Sequence, residues 1–130
     1  MRQIVIAVMA AAALLPLQSH AAVSADSFDL RNAGDLVDLC AVPEGDAMAE
    51  ASLGFCYGFL SGAASYHRAL VAGKNPHPLF CPPEPRVSRA DAAKLFVNWG
   101  RGNPQYLSEA PVDALIRFAV ATWPCPRAQR

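Results

Sequence analysis

Residues 46–72 read DAMAEASLGFCYGFLSGAASYHRALVA, the longest stretch of the chain with a helical pattern. Acidic Asp46 stands at its beginning and basic Arg68 near its end, as the helix dipole favours. Gly73 and Pro76 follow and would stop a helix. Apolar side chains recur at spacings of three and four, and the residues concerned are Leu53, Cys56, Phe59 or Leu60, Ala63 and Leu70. The pattern predicts one long helix with a single buried stripe.

Three glycines lie four residues apart in this segment, at Gly54, Gly58 and Gly62. A glycine inside a helix costs about 0.5–1 kcal/mol relative to alanine, so three on one face need a compensating reason. We expect them to let another helix approach closely, either within the fold or in a homodimer.

Three shorter helices are predicted around the long one. Asn32 with Asp35, and Ser88 with Asp91, form capping patterns that begin the first and third helices. The fourth helix begins at Ser108 or Pro111 and ends near Thr122. The predicted buried face of the third helix contains Ala92, Leu95, Phe96 and Trp99. No run of alternating β-branched residues occurs, so the predicted class is all-α, a small four-helix domain.

Glycine and proline mark the ends of these helices. Gly100 and Gly102 follow the third predicted helix and indicate its C-terminal end, not a phosphate-binding loop, which would follow a strand. Residues 73–87 hold five prolines and predict a stiff extended connection.

The four cysteines are Cys40, Cys56, Cys81 and Cys125, and none forms a Cys-x-x-Cys pair. This spacing favours two disulfides over a zinc or haem site. If successive helices run antiparallel, Cys81 and Cys125 lie at the same end of the bundle. Among the three connectivities we therefore prefer 40–56 with 81–125.

The first 21 residues have the three parts of a secretory signal peptide. Arg2 precedes an uncharged run from Ile4 to Leu17, which is too short to span a membrane comfortably, and Ala21 ends a cleavage pattern. A second cleavage pattern ends at Ala25. We expect a periplasmic protein with no membrane attachment after cleavage. Its predicted segments are the signal peptide (1–21), a flexible lead-in (22–31), the helical domain (32–126) and a tail (127–130).

The 11 basic and 11 acidic side chains balance, which argues against a nucleic-acid partner. The charges are unevenly distributed, because residues 26–50 carry a net −6 and residues 51–130 a net +5. One interpretation is internal neutralisation when the first helix docks. The other is an acidic rim that faces a protein partner.

Catalytic patterns are sparse in the exported part, whose only histidines are His67 and His77. We expect His67 to be a solvated or rim residue. Neither histidine has a nearby nucleophile and acid in the sequence, and the cysteines are expected to be oxidised. The sequence therefore predicts no enzyme, no cofactor and no metal site.

Four cysteine-anchored motifs occur in a fixed order: Asp-Leu-Val-Asp-Leu-Cys40, Cys56-Tyr-Gly-Phe-Leu-Ser-Gly62, Phe80-Cys-Pro-Pro83 and Trp123-Pro-Cys125. Together they resemble the Tai-type immunity proteins, periplasmic antidotes to cell-wall amidase toxins delivered by type VI secretion. The similarity covers residues 32–126. It departs after Gly62, where Ala-Ala-Ser replaces a more polar stretch.

The resemblance implies an exported, helical, disulfide-linked and often dimeric protein that binds an amidase toxin and blocks its active-site cleft. The family is distantly similar to HdeA-like acid-stress chaperones. The alternatives are therefore an HdeA-like periplasmic stress chaperone, or a generic periplasmic helical protein without a toxin partner.

Overall fold

The computed structural model describes residues 23–73 and 77–126. The four helices in this part are α1 (Ala33–Cys40), α2 (Ala49–Val71), α3 (Arg89–Gly102) and α4 (Pro111–Thr122). Two short 3₁₀ helices, Ala25–Asp29 and Pro104–Tyr106, precede α1 and α4, and the described residues form no strand. The all-α prediction is confirmed. The predicted signal peptide and the tail at 127–130 lie outside the described residues.

Side-chain caps begin two of the helices as the sequence predicts. Asn32 Oδ1 accepts a hydrogen bond from the backbone N–H of Asp35 at 3.1 Å, at the start of α1. At the start of α3, Ser88 Oγ accepts from the Asp91 N–H at 3.1 Å and donates to its carboxylate at 2.6 Å. Helix α2 begins three residues later than predicted, because Asp46 closes a turn with the N–H of Met48 at 2.8 Å.

Helix α1 lies at the centre of the fold and contacts the three other helices. The N–H groups of Ala33 and Gly34 donate to the carbonyl oxygens of Glu109 and Leu107, at 2.8 and 2.9 Å. The connection before α4 thus satisfies donors that every helix start leaves unpaired. Five of the eight α1 residues are buried: Ala33, Leu36, Val37, Leu39 and Cys40.

The same connection is held on its other side by α4. Arg117 Nε donates to the Glu109 carboxylate at 2.7 Å, and this hydrogen bond raises the pKa of the exposed Arg117 guanidinium. The guanidinium also lies 4.9 Å from the centre of the Tyr106 ring, which is stacked on Trp99. Residues 104–109 are therefore positioned by α1, α3 and α4 together.

The two disulfides join distant parts of the chain. Cys40 is bonded to Cys56 and connects the end of α1 to α2. Cys81 is bonded to Cys125 and fixes the proline-rich connection to the end of α4. This is the connectivity that the antiparallel arrangement favours.

Helix α3 buries part of the predicted face, since Phe96 is buried and Ala92 and Trp99 pack against the core while partly exposed. Its buried residues are Ala93, Phe96, Val97 and Gly100, which recur at spacings of three, one and three. Leu95 lies outside this face and is 39% exposed, so its prediction as a core residue is wrong. The buried face is turned towards α1. On the same face, Phe96 meets Phe118 of α4 edge to face, with 5.5 Å between ring centres.

The segment before α1, which the sequence analysis predicts to be a flexible lead-in, contains regular structure. Residues Ala25–Asp29 form a 3₁₀ helix, and Val23 and Ser27 are buried. Phe28 meets Phe55 of α2 edge to face, with 5.6 Å between ring centres. The aromatic contact gives this segment a packing partner that the sequence pattern does not indicate.

Gly100 lies where α3 approaches α1 closely. The sequence places it at the end of a helix, but α3 continues through it to Gly102. A Cβ atom at Gly100 would lie 2.8 Å from Val37 Cγ2 of α1. Because real Cβ contacts are longer, a side chain at this point would force Val37 or one of the two helices to shift.

We predict that Gly100→Ala destabilises the protein by about 1–3 kcal/mol, because Val37 is buried and its branched side chain cannot turn away freely. The matched control is Gly102→Ala in the same helix, since a Cβ there meets nothing within 4 Å. Urea unfolding should show a change of less than about 0.5 kcal/mol for the control. Equal stabilities of the two variants would contradict the close contact.

Candidate partner-binding site

An apolar groove lies between the second half of α2, the proline-rich connection and α4. Its volume is about 590 Å³. Buried side chains form the floor: Leu60 and His67 from α2, Phe80 from the connection, and Leu115, Phe118 and Ala119 from α4. We call this feature the α2–α4 groove.

His67 is part of the floor of this groove and not a solvated residue as expected, since it is only 6% exposed. Its ring stacks on Phe80 with 4.0 Å between ring centres. Its Nε2 accepts a hydrogen bond from the Leu79 N–H at 3.1 Å, so this nitrogen carries no proton. Cys56, Leu60 and His67 are spaced by four and seven residues and so share one face of α2, which is the sequence signal for the burial of His67. Leu70, predicted in the same apolar stripe, is 58% exposed.

The wall opposite α2 is fixed by Cys81. The Cys81 N–H donates to the carbonyl oxygen of Trp123 at 2.8 Å, next to the disulfide with Cys125. Phe80 lies between His67 and Trp123, with 6.4 Å between the Phe80 and Trp123 ring centres. The connection is therefore attached to α2 on one side and to the end of α4 on the other.

The lining of the groove includes three arginines, Arg68, Arg86 and Arg89, and one acid, Glu84. Arg68 donates to Ser65 Oγ at 2.8 Å, and Arg86 lies 3.7 Å from the Glu84 carboxylate. Arg89 forms no salt bridge with the described residues. The groove thus has an apolar floor and a net positive rim.

The three glycines of α2 lie on an outward face of the helix. Gly54, Gly58 and Gly62 are exposed, and a Cβ at each would meet nothing within 4 Å. They therefore do not pack against another described helix of this chain, so that half of the expectation is wrong. The homodimer stays a prediction. No charged side chain occurs between Glu50 and Arg68, and Tyr66 is 68% exposed on this part of α2.

Three ion pairs show how the acidic part of the sequence (26–50) and the basic part (51–130) are paired. Arg31 pairs with Asp35 at 3.6 Å, whereas Arg86 pairs with Glu84 and Arg117 with Glu109. Each pair joins residues from the same part of the sequence. None of these three neutralises the acidic segment with the basic one.

Across residues 23–73 and 77–126, no three His, Cys, Asp or Glu side chains form a group that could hold a metal ion. In the same ranges, no helix is both long and apolar enough to cross a bilayer.

A family model described as Rap1a immunity proteins matches residues 32–125, which include all four helices and all four cysteines. No curated protein and no solved structure matches the chain.

We predict that replacing Cys81 and Cys125 by alanine lowers the free energy of unfolding by about 4 kcal/mol, the loop-closure value for a bridge of this span. It should also speed hydrogen exchange of the backbone amides of residues 79–87, because the disulfide fixes that wall.

The matched control replaces Cys40 and Cys56, whose disulfide joins α1 to α2 and does not line the groove. That variant should lose stability without a selective increase in exchange at 79–87, when both proteins are studied under conditions where they remain folded. Equal exchange of 79–87 in wild type and the first variant would show that this disulfide does not hold the groove wall.

Proposed function

The chain belongs to the Rap1a immunity proteins, and from this we propose that it binds a secreted peptidoglycan amidase in the periplasm and covers the toxin's active-site cleft. The observation that carries the proposal is the extent of the family match. It includes the whole helical domain and both disulfides, so it concerns the fold as a unit and not one short motif.

The choice of an amidase as the target rests on the ordered cysteine motifs and their resemblance to the Tai-type proteins. Inhibition by occlusion asks only for a rigid surface of suitable shape and for complementary charge. The chain offers a small domain with two internal disulfides and a concave apolar surface, the α2–α4 groove. These features support an inhibitor that acts by binding.

The periplasmic location rests on the leader and the cysteines. Residues 1–21 have the pattern of a cleaved export signal. All four cysteines are paired in disulfides, the state that an oxidising compartment maintains. Peptidoglycan is also the substrate that a cell-wall amidase would reach from this side of the membrane.

We predict that an amidase is encoded beside this gene, and that the purified protein, cleaved after Ala21, inhibits it at a one-to-one ratio of chains. Release of peptide from purified peptidoglycan is the measurement. Full amidase activity in the presence of a several-fold excess of folded protein would exclude that enzyme as the target.

A cellular control separates inhibition from location. A strain that lacks the gene should be lysed when the amidase is directed to its periplasm, and the full-length chain should restore survival. A version without residues 2–21 should not restore it, although it inhibits the amidase in the cuvette. Survival with the leaderless version would contradict the periplasmic site of action.

We also propose that the exposed glycine face of α2 joins two copies of the chain. The face is uncharged between Glu50 and Arg68, and its glycines allow a second helix to approach closely. An exposed helix face usually carries charged side chains, so its neutrality favours contact with another protein surface.

Sedimentation tests this dimer with a matched pair of variants. Gly58→Leu places a bulky side chain on the face, and we predict that it shifts the protein from dimer to monomer. Gly102→Leu, at an exposed position of α3, should leave the dimer unchanged. A wild-type monomer at all accessible concentrations would contradict the proposal.

A further inference from the structure

We propose that the α2–α4 groove is the part of this surface that receives the toxin, and that its occupant is a toxin segment with an apolar side chain flanked by carboxylates. This inference rests on the proposed function, because it assumes that the chain binds a toxin. It adds where the toxin binds and what chemistry the contacting segment has.

The floor supplies the apolar part of the recognition. Leu60, Phe80 and Leu115 are buried at its base, and Ile116 and Trp123 are partly exposed along its side. A volume of about 590 Å³ lies within the range of binding clefts that accept drug-sized molecules. An aliphatic or aromatic side chain inserted there would leave water for a largely apolar environment, which is how interface anchors acquire most of their affinity.

The groove is already formed in the unbound chain. The disulfide of Cys81 and the hydrogen bond from Leu79 to His67 hold the wall in place, and the stacking of His67 on Phe80 closes its base. A partner therefore does not have to order this connection when it binds. The conformational entropy cost of association is correspondingly smaller.

The rim supplies the charge. Arg68, Arg86 and Arg89 outnumber the single carboxylate of Glu84. Arg89 is the first residue of α3, where the helix dipole disfavours a positive side chain, so its charge does not serve helix stability. A guanidinium held beside an apolar cleft is suited to a carboxylate, which it can bind with two hydrogen bonds.

The glycine face of α2 fits this role less well. It offers small side chains and no charged group between Glu50 and Arg68, and its three glycines do not line the α2–α4 groove. The acidic segment at 26–50 of a second copy is a competing occupant of the groove, because it also carries carboxylates. The experiment below distinguishes it from the toxin.

The test uses two groove variants of the exported protein, each with a control at a second concavity near Cys40. Ala64→Phe fills the α2–α4 groove, whereas Ala90→Phe fills the other concavity. Arg68→Gln removes a charge from the rim, whereas Arg101→Gln removes a last-turn arginine elsewhere. Circular dichroism and thermal unfolding establish that each variant is folded, and calorimetric titration with the inhibited amidase gives the Kd.

We expect each groove variant to raise the Kd at least about tenfold, and each control to change it less than about threefold. The effect of Arg68→Gln should shrink at high salt, because it removes a charge interaction. Should Ala64→Phe be unfolded, Ile116→Ala replaces it as the test of the apolar floor and should also weaken binding.

Three results would overturn the inference. If wild type inhibits the amidase and the folded groove variants bind it equally well, the groove is not the contact, and the proposed function stands. If the groove variants lose the dimer in sedimentation but keep the toxin affinity, a second copy is the occupant. If wild type binds no toxin, the proposed function fails and the groove inference fails with it.

Discussion

Helix α1 has eight residues, too few to be stable in water without tertiary contacts. Five of them are buried, and the first two N–H groups of the helix donate to carbonyl oxygens at Leu107 and Glu109. At its other end, Cys40 is bonded to Cys56 of α2. Helix α1 is therefore stable only because the other helices pack around it. The close approach at Gly100 follows from the same requirement, since α3 must lie against Val37 to cover it.

Features carried by local chemistry could be predicted from the sequence. The caps at Asn32 and Ser88 depend on residues three positions apart, and the structure contains both. The four helices follow from periodicity, and the disulfide pairing follows from the order of the helices and the positions of the cysteines. The family match extends this agreement to the immunity-type motifs at residues 32–125.

Features that depend on how helices rotate against each other could not be predicted. Phe96 is buried as predicted, but several faces of α3 have a helical apolar pattern, and the contact with α1 selects Val97 and Gly100 over Leu95. Glycines four residues apart and a lone buried glycine look equally plausible as packing sites, yet only Gly100 touches another helix. The groove could not be predicted for the same reason, because its residues come from separate segments of the chain. His67 is buried through its register on α2 and its hydrogen bond with Leu79, a residue twelve positions away.

The connection at residues 77–87 is held to the helices mainly through Phe80, Cys81 and the amide of Leu79, while Pro82, Pro83, Glu84 and Arg86 are exposed. Substitutions at these exposed positions would alter the rim of the groove without disturbing the buried contacts of α1. In an immunity protein that must follow changes in its toxin, selection can then change the rim of the groove without changing the stability of the helical core. The fold sets which residues must stay, and the attached connection is where relatives that recognise different toxins are expected to diverge.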